Sequence, residues 1–376
     1  MHLKKLSLVN FKNYEHAELN FSTGFNCFVG DNGGGKTNLL DAIYHLSFCK
    51  SFINPIDSQN IKHNTDFYII QGNFELNEKK EQIHCGFKKG KKKQFQRNKK
   101  EYSRLADHIG LLPVVLVSPE DTMLIQEGSD LRRKFIDTII AQFDRVYLDK
   151  LISYNRIISQ RNALLKKFAE ARSFDKDAID VWDEQLVELG TVIHEKRVAF
   201  LHSFTPIFKK HFEFISQGKE EVSLEYRSQL AGENFKDVLA EAMAKDRIVQ
   251  YSTAGIHRDD LICTLDEYPI KKLGSQGQRK SFVIALKLAQ YDFLKSEKGY
   301  RPLLLLDDIF DKLDPSRVVQ LMELVNGSDF GQIFITHTHE ERLTAVLEGI
   351  DDVKIFQVGG GMAKDYSVKS ITDDAT

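Results

Sequence analysis

The chain has 376 residues, of which 42% are hydrophobic and 28% charged, a composition that excludes a disordered, collagen-like or membrane-spanning protein. Its 52 basic and 54 acidic side chains give a net charge of −2, so a nucleic-acid site has to be a local basic patch. Four scattered cysteines without a C-x-x-C pair, together with an amino terminus that lacks a secretory apolar run, favour the reducing cytoplasm and no membrane contact.

The first 120 residues predict short strands and turns. Leu6 and Leu8 alternate on one face, and residues 25–29 form a compact apolar run before a glycine-rich turn. Residues 67–74 are rich in β-branched and aromatic side chains, and Pro113 precedes the strand-like run VVLV. We interpret residues 1–120 as the first half of an α/β head.

The middle of the chain has the pattern of helices. No glycine or proline occurs between residues 129 and 189, and apolar side chains recur there at steps of three and four. Asp144 and Asp177 are candidate N-caps that would divide the region into two or three antiparallel helices ending near Pro206. Residues 121–252 are therefore predicted to form an inserted helical lobe.

Strands and helices alternate again after residue 252. A helical stretch at residues 280–294 precedes the runs LLLLDD, QIFIT and VKIFQV, each of which predicts a strand. Residues 253–376 therefore predict the second half of the head. The simplest architecture is an α/β fold that is split in sequence, with a helical lobe between its halves.

Residues 30–37 fit the P-loop pattern G-x-x-x-x-G-K-[ST] and lie between a predicted strand and a predicted helix. Glycines there let backbone N–H groups converge on phosphate oxygens, and the helix start adds positive potential. We expect Lys36 to reach the β- and γ-phosphates of ATP and the Thr37 hydroxyl to bind Mg²⁺. A plain glycine-rich turn is the alternative, which the Lys-Thr pair and both flanks disfavour. The predicted nucleotide-binding residues are Gly30, Asp31, Asn32, Gly33, Gly34, Gly35, Lys36, Thr37 and Asn38.

Two aspartates follow the predicted strand at residues 303–306, at the end of the sheet where α/β folds bind ligands. We expect Asp307 to hold Mg²⁺ through water, together with Thr37, and Asp308 to orient or deprotonate the attacking water. Aspartates after a strand are also common as helix N-caps. Their combination with the Lys36 loop favours the metal-binding interpretation.

Three further motifs indicate the class of nucleotide-binding fold. Ser275 to Arg279 reads SQGQR ahead of a helix, KLD ends at Asp314, and Thr336 and His337 follow the strand QIFI. With the P-loop, these motifs resemble the signature, D-loop and H-loop of ABC-type ATPases. The resemblance implies an ATP-dependent homodimer, with Asp308 and His337 catalytic. It also implies five residues that act in trans across the dimer, namely Ser275, Gln276, Gly277, Gln278 and Asp314.

The whole chain is similar to the RecF family of bacterial recombination mediators. The matching stretches are LVNFKNY, GDNGGGKTNLLDAIY, SPEDTMLIQEGSDLRRKFID, GIHRDDL, GSQGQRKSFVIALKLAQ and LLLLDDIFDKLD. This resemblance implies recombinational gap repair, with RecR and RecO as partners in placing the recombinase on single-stranded gaps beside duplex. Glu127 and Ser129 depart from the family, in which many members carry Gly and Pro.

Asp308 also departs from most ABC-type ATPases, which carry Glu at this position. Because Asp is shorter by one methylene, it is a less well placed base, and base catalysis typically supplies about 10²–10⁴-fold. We therefore predict a slow, DNA-dependent ATPase in which hydrolysis times release. The alternatives are the nucleotide-binding subunit of a transporter, which the split head disfavours, and a chromosome-maintenance head, whose long coiled coil an insert of this size cannot form.

A basic run at residues 88–100 is the candidate DNA-binding segment, within a predicted strand hairpin. Its eight basic side chains are Lys88, Lys89, Lys91, Lys92, Lys93, Arg97, Lys99 and Lys100. A solvated loop is the alternative interpretation. Because no helix-turn-helix, zinc-finger or RNP pattern occurs, we expect contact with the backbone of double-stranded DNA instead of base readout. The family resemblance adds single-strand/double-strand junctions as ligands and favours binding by the ATP dimer.

Overall fold

The computed structural model describes residues 1–309, 320, 322, 324, 325, 327, 329–338, 347, 349, 350 and 352–366. The described strands are β1 (His2–Phe11), β2 (Tyr14–Asn20), β3 (Phe25–Val29), β4 (Phe67–Leu76), β5 (Lys79–Lys88), β6 (Gln94–Arg97), β7 (Lys100–Glu101), β8 (Val114–Val117), β9 (Val222–Arg227), β10 (Asp260–Leu265), β11 (Tyr268–Pro269), β12 (Leu303–Leu306), β13 (Ile333–His337), β14 (Val353–Gly359) and β15 (Met362–Tyr366). The described α-helices are α1 (Lys36–Phe48), α2 (Met123–Gln126), α3 (Ser129–Phe143), α4 (Arg145–Glu170), α5 (Lys176–Ser216), α6 (Phe235–Val249), α7 (Ile270–Leu273) and α8 (Gln276–Lys298).

The chain divides into two compact units, one made of residues 1–121 and 290–376 and the other of residues 122–289. In the described part of the first unit there are two six-stranded sheets, with orders β2-β1-β4-β5-β6-β7 and β15-β14-β3-β13-β12-β8. The first sheet is antiparallel throughout, whereas among the described strands of the second only β15 is antiparallel to its neighbour. Among the described helices, none is long and apolar enough to span a bilayer.

Helix α1 lies in the core of the first unit and contacts strands of both sheets. Its Leu39, Leu40 and Leu46 are fully buried, in one apolar cluster with Leu6 of β1 and Leu305 of β12. Strand β3 is buried along its whole length, as a central parallel strand covered on both faces should be. The strands predicted at residues 25–29, 67–74 and 303–306 are thereby confirmed, as is the alternation of Leu6 and Leu8.

The second unit is mainly helical, but the prediction of an all-helical lobe is wrong in one respect. Strand β9 lies within residues 121–252 and pairs with β10, which in turn pairs with β11. Asp144 is confirmed as an N-cap, since its side chain accepts a hydrogen bond from the Tyr147 N–H at 2.9 Å. The N-cap of α5 is Asp175 and not Asp177, with its side chain accepting from the Ala178 N–H at 3.0 Å.

Helix α5 continues through Pro206 to Ser216 instead of ending near the proline. Proline lacks the N–H that the carbonyl four residues earlier needs, and this costs about 3 kcal/mol in a helix interior. An uninterrupted apolar stripe runs past it on one face of the helix, comprising Phe200, Phe204, Phe208 and Phe212, all buried. Burial of large side chains on both sides of Pro206 offsets the missing hydrogen bond, since each contributes about 1.5–3 kcal/mol.

The second boundary between the two compact units lies between residues 289 and 290, whereas the sequence predicted it between residues 252 and 253. Strand β10 pairs with β9 over six consecutive positions, and it also contacts α3, so residues 253–289 group with the lobe. The predicted third segment, 253–376, is therefore shared between the two units. The signature motif falls in the second unit, and the strand LLLL with its two aspartates falls in the first.

Candidate nucleotide-binding and DNA-binding sites

Three adjacent parallel strands of the first unit end at one edge of the second sheet. Strand β3 leads into the glycine-rich loop, β13 ends on Thr336 and His337, and β12 leads into Asp307 and Asp308. The carboxyl ends of parallel strands are where α/β folds place ligands. The topology therefore brings three of the predicted motifs together, although they come from distant parts of the chain.

The glycines of the loop are required by its backbone. Gly30 has φ 146°, and a Cβ there would lie 2.0 Å from the carbonyl oxygen of Val358 in β14. Gly35 has φ 112°, and a Cβ there would lie 2.3 Å from Nδ2 of Asn13. Only glycine adopts these left-handed conformations without strain and leaves this space open. Close contacts with the β14–β15 and β1–β2 hairpins therefore require glycine at positions 30 and 35 of the loop.

The turn between β1 and β2 holds the loop from one side. Asn13 Nδ2 donates to the carbonyl of Gly34 at 3.0 Å, and Asn38 Nδ2 donates to Asn13 Oδ1 at 2.7 Å. The hydroxyl of Tyr14 donates to the carbonyl of Gly35 at 3.1 Å. The sequence analysis did not predict a role for Asn13 or Tyr14. The available signal was the stretch LVNFKNY, which was used only to identify the family.

Lys36 is the first residue of α1, and its side chain folds back into the loop. Its Nζ donates to the carbonyls of Gly30 and Asp31, at 2.6 and 2.9 Å, and the residue is buried. A buried ammonium needs such acceptors. Phosphate oxygens would replace the carbonyls when a triphosphate enters, because a charged acceptor makes the stronger hydrogen bond.

The acidic strand end meets the start of α1. Asp307 Oδ1 accepts from Thr37 Oγ1 at 2.9 Å and from Thr336 Oγ1 at 2.8 Å. Burial raises the pKa of Asp307 above its usual range, an effect opposed by these hydrogen bonds from Thr336 and Thr37. A hydroxyl and a carboxylate next to a phosphate cradle are the hard oxygen ligands that Mg²⁺ takes, with water and phosphate completing its octahedron. The residues present therefore fit this ion.

Asp308 and His337 lie beside this pair. Asp308 has a left-handed backbone with φ 47°, and its Oδ1 is buried with no hydrogen-bond partner among the described residues. An unsatisfied buried carboxylate oxygen is an acceptor available for a water hydrogen. His337 is buried at the end of β13 and pairs in register with Val29, the residue before Gly30. The structure thus brings both predicted catalytic residues to the P-loop edge.

The signature motif forms the start of α8 in the second unit. Ser275 Oγ accepts from the Gln278 N–H at 3.2 Å, and Gln278 Oε1 accepts from the Ser275 N–H at 2.6 Å, which is a reciprocal capping box. Gln278 Nε2 also donates to Glu220 at 2.7 Å. Ser275 and Gln276 are exposed, whereas Gly277 is half-buried. Asp314, predicted to act in trans, lies outside the described residues.

The basic run extends from the end of β5 through the β5–β6 loop, β6 and the β6–β7 turn to the first residue of β7, and its eight side chains differ in their surroundings. Those that are exposed with no ion pair to a described residue are Lys89, Lys91, Lys92, Lys99 and Lys100. Lys88 is exposed and forms an ion pair with Asp66 at 2.9 Å, and Arg97 forms a two-point ion pair with Glu81 at 2.8 and 2.6 Å. Five cations are therefore presented directly to solvent.

Lys93 points inward, unlike the rest of the predicted DNA-binding set. Its side chain is 11% exposed, and Nζ donates to the Cys49 carbonyl at 2.7 Å and to Asp57 at 2.8 Å. Cys49 is the C-cap residue of α1, with φ 56°. Lys93 therefore ties the basic loop to the end of the P-loop helix, because it satisfies a carbonyl that the helix leaves unpaired.

A P-loop, a strand-end aspartate pair and a buried histidine on adjacent parallel strands define the head of an ABC-type ATPase, together with the antiparallel sheet of the same unit and the signature motif that begins α8 in the other unit. Residues 2–362 match the family model described as RecF/RecN/SMC N terminal domain. The chain belongs to the RecF family of DNA replication and repair proteins, which confirms the resemblance found in its motifs.

Relatives that align over nearly their full length support membership in the RecF family. The DNA replication and repair protein RecF of Phocaeicola vulgatus is 52% identical over 364 residues, covering 96% of this chain and 97% of the relative. RecF of Flavobacterium johnsoniae is 51% identical and covers 95% of this chain and all of the relative. A solved structure of the recombination mediator protein RecF with ATP in the RecFOR pathway superposes with TM-score 0.88 at 29% identity, covering 97% of this chain and 98% of that one. An Smc head domain from Pyrococcus furiosus shares the fold alone, with TM-score 0.59 at 19% identity.

Proposed function

We propose that this chain is an ATP-dependent DNA-binding protein of recombinational gap repair and replication restart. The observation that carries the proposal is the convergence of Lys36, Thr37 and Asp307, the last two joined at 2.9 Å across 270 positions of sequence. Such a site has the parts needed to hold a triphosphate and its ion. The solved relative named as RecF–ATP supports ATP as the nucleotide.

Binding of ATP rests on the loop and two side chains. Backbone N–H groups of the glycine-rich loop and the start of α1 surround the phosphates, and Lys36 supplies a fixed positive charge. Thr37 and Asp307 would hold Mg²⁺, which when bound neutralises phosphate charge. The hydrogen bonds from Asn13 and Tyr14 hold the carbonyls of Gly34 and Gly35 against the β1–β2 turn.

We infer dimerisation from the exposed signature motif, which belongs to the second unit, whereas the P-loop belongs to the first. The exposed Ser275 hydroxyl and the N–H groups at the start of α8 are donors of the kind that an anion attracts. In the dimer, these donors from one copy complete the γ-phosphate site of the other, together with Gln276, Gly277, Gln278 and Asp314. ATP is then the bridge of a two-fold dimer, the commonest symmetry of soluble oligomers.

Hydrolysis is slow in this proposal and acts as a timer. Asp308 has a buried carboxylate oxygen that no described residue bonds to and that can accept a hydrogen bond from the attacking water, and His337 lies at the same edge of the sheet. Asp carries one methylene fewer than the Glu of most ABC-type ATPases, so its distance from the water is less favourable. The ATP dimer persists for the time this step takes, and DNA binding modulates that time.

DNA contacts come from the exposed lysines of the basic loop and turn. They recognise the phosphate backbone of duplex, including duplex beside a single-strand gap, without reading bases. We further propose RecR and RecO as partners in loading the recombinase, since solved relatives carry the RecFOR pathway in their names. The site of action is the bacterial cytoplasm, where the chromosome lies.

A chromosome-maintenance head is the second candidate, because solved Smc heads share the fold. Helix α5 has 41 residues and packs against the 26 residues of α4. At 1.5 Å per residue the longer helix spans about 60 Å, which is short for a tether between chromosome segments. A transporter subunit has no observation in its favour.

Sedimentation velocity with ATP, with ADP and without nucleotide, repeated on duplex DNA, tests the proposal. We expect dimers only with ATP, and stronger DNA binding by that dimer. The variant Ser275→Arg should bind ATP yet stay monomeric. The substitution removes the Ser275 hydroxyl and places a large side chain in the proposed dimer interface. Ser173→Arg, at the exposed turn between α4 and α5, is the matched control and should dimerise. Monomers under all three conditions would refute the switch.

A further inference from the structure

One buried hydroxyl joins the two acidic residues of the nucleotide site. Thr336, near the carboxyl end of strand β13, is fully buried. Its Oγ1 donates to Asp307 Oδ1 at 2.8 Å and accepts from the Asp308 N–H at 2.9 Å. A hydroxyl has one hydrogen to donate and lone pairs to accept, so both hydrogen bonds form at once.

Each of these hydrogen bonds fixes a different part of the site. Asp307 Oδ1 accepts hydrogen bonds from the hydroxyls of Thr336 in β13 and Thr37 in α1. These two elements therefore hold its carboxylate in place. The backbone of Asp308 is left-handed, with φ 47°, a conformation that non-glycine residues keep only when their surroundings hold it. The hydrogen bond from its N–H to Thr336 is such a restraint.

We infer that Thr336 is a positioning residue for ATP hydrolysis, setting Asp307 for the metal and Asp308 for the water through one hydroxyl. This inference rests on the proposed function, since it assigns a role within the same site. The described hydrogen bonds of the Thr336 hydroxyl go to Asp307 and to the Asp308 N–H, so its role is to position the two aspartates. It also precedes His337 on the same strand, so one short segment positions three of the residues proposed for hydrolysis.

The test compares Thr336→Val, which keeps the shape of the side chain without its hydroxyl, with Thr336→Ser, which keeps the hydroxyl. Substitution of such supporting groups typically reduces metal affinity or activity about 10–100-fold. For the valine variant we expect the Mg²⁺ concentration that half-saturates fluorescent ATP binding to rise about tenfold, and kcat to fall by about 10–100-fold. The affinity for nucleotide in EDTA should not change, and the serine variant should restore most of both properties.

A second measurement requires neither nucleotide nor metal. Because Thr336 Oγ1 is the acceptor for the Asp308 N–H, amide hydrogen exchange at Asp308 should accelerate in the valine variant and stay slow in the serine variant. Ser47→Ala is the matched control: it removes another buried hydroxyl of the first unit, which bonds to the Leu112 carbonyl, and should alter neither the Mg²⁺ requirement nor exchange at Asp308.

The outcomes separate this inference from the proposed function. A folded valine variant with the wild-type Mg²⁺ requirement, kcat and Asp308 exchange would overturn the inference alone. A wild-type protein that neither binds nor hydrolyses ATP in Mg²⁺ would overturn the proposed function. If the valine variant does not fold, the pair Thr336→Ala and Thr336→Ser decides by the same readouts, with equal values for both contradicting a role for the hydroxyl.

Discussion

His108 shows how one buried polar side chain supports the P-loop helix. Its Nε2 donates to the carbonyl of Leu46 in α1 at 2.7 Å, so the neutral ring accepts from the Tyr102 hydroxyl through Nδ1 at 3.1 Å. Burial lowers the pKa of His108 to about 4, partly opposed by the hydrogen bond to Leu46. The folded protein therefore keeps this ring neutral where the unfolded chain binds a proton.

The pKa of His108 is lower in the folded protein than in the unfolded chain, and this difference sets the direction in which stability changes with pH. Between pH 6.5 and 4 the unfolded state binds more protons, so His108 stabilises the fold fully above pH 6.5 and progressively less as pH falls towards 4. The decrease amounts to about 3 kcal/mol. We expect His108→Gln to flatten the fall in unfolding free energy between pH 7 and 5, measured by urea denaturation. His63→Gln, at an exposed position, is the control, and equal slopes for both variants would contradict the assignment.

At the level of residues, sequence analysis predicted what a local motif contains and missed what a distant hydrogen bond supplies. The spacing of Lys36 and Thr37 and the strand before Asp307 carry their own signal, because each sits within a recognisable pattern. Asn13 and Thr336 were not assigned roles, since their partners lie 21 to 29 positions away in sequence and nothing local specifies that contact. The inward position of Lys93 was not predicted, because a charge run does not reveal which lysine is buried.

The β5–β6 loop and the β6–β7 turn form the element on which the DNA proposal depends. Substituting Lys89, Lys91 and Lys92 by Gln should reduce the slope of log affinity against log salt by about 0.9 for each phosphate that the variant no longer neutralises. Duplex binding measured by fluorescence anisotropy across a salt series checks this. The control is Lys79→Gln with Lys80→Gln, two exposed lysines at the opposite end of β5. An unchanged slope in the triple variant would place the DNA elsewhere.

Lys93→Gln makes a contrasting variant within the same element. It removes an ammonium that bonds to the carbonyl of buried Cys49 and to Asp57, and loss of the hydrogen bond to the Cys49 carbonyl costs about 1–3 kcal/mol. We expect a lower melting temperature and the wild-type salt slope, opposite to the result for the exposed lysines. Reduced slope with unchanged stability would mean that Lys93 contacts DNA after all.

Strands and helices were predicted most reliably where the apolar pattern indicates a single type of secondary structure. Strand β12 is a continuous apolar run and β3 is apolar except for Asn26, and both were predicted with the bounds they have, because short and almost wholly apolar runs are typical of buried strands. Strand β9 was missed, since its alternating VSLEYR sequence lies in a region dominated by helical periodicity. The sequence predicts a helix end near Pro206, but the aromatic stripe of α5 outweighs the local preference of proline.

At the scale of the molecule, the predicted split head is present, with its two sequence segments joined in the second sheet of the first unit. Strand β3 from the first segment pairs with β13 and β14 from the last, so the P-loop and the aspartate pair cannot form a site until both ends of the chain have folded together. The boundary between units could not be read from motifs. It depends on the pairing of β9 with β10, which joins segments that the motifs assign to different domains.

The proposed timer makes a prediction for the whole dimer. Asp308→Asn keeps the size of the side chain but cannot accept a proton, and the absence of base catalysis should slow hydrolysis by about 10²–10⁴-fold. If hydrolysis times release, the ATP dimer of this variant should outlive that of the wild type by a comparable factor. Sedimentation after a chase with excess ADP measures that lifetime on DNA, and Lys36→Ala, which should not retain ATP, gives the monomer baseline. Slow hydrolysis combined with a wild-type dimer lifetime would show that release precedes the chemical step, because the dimer would then open with its ATP intact.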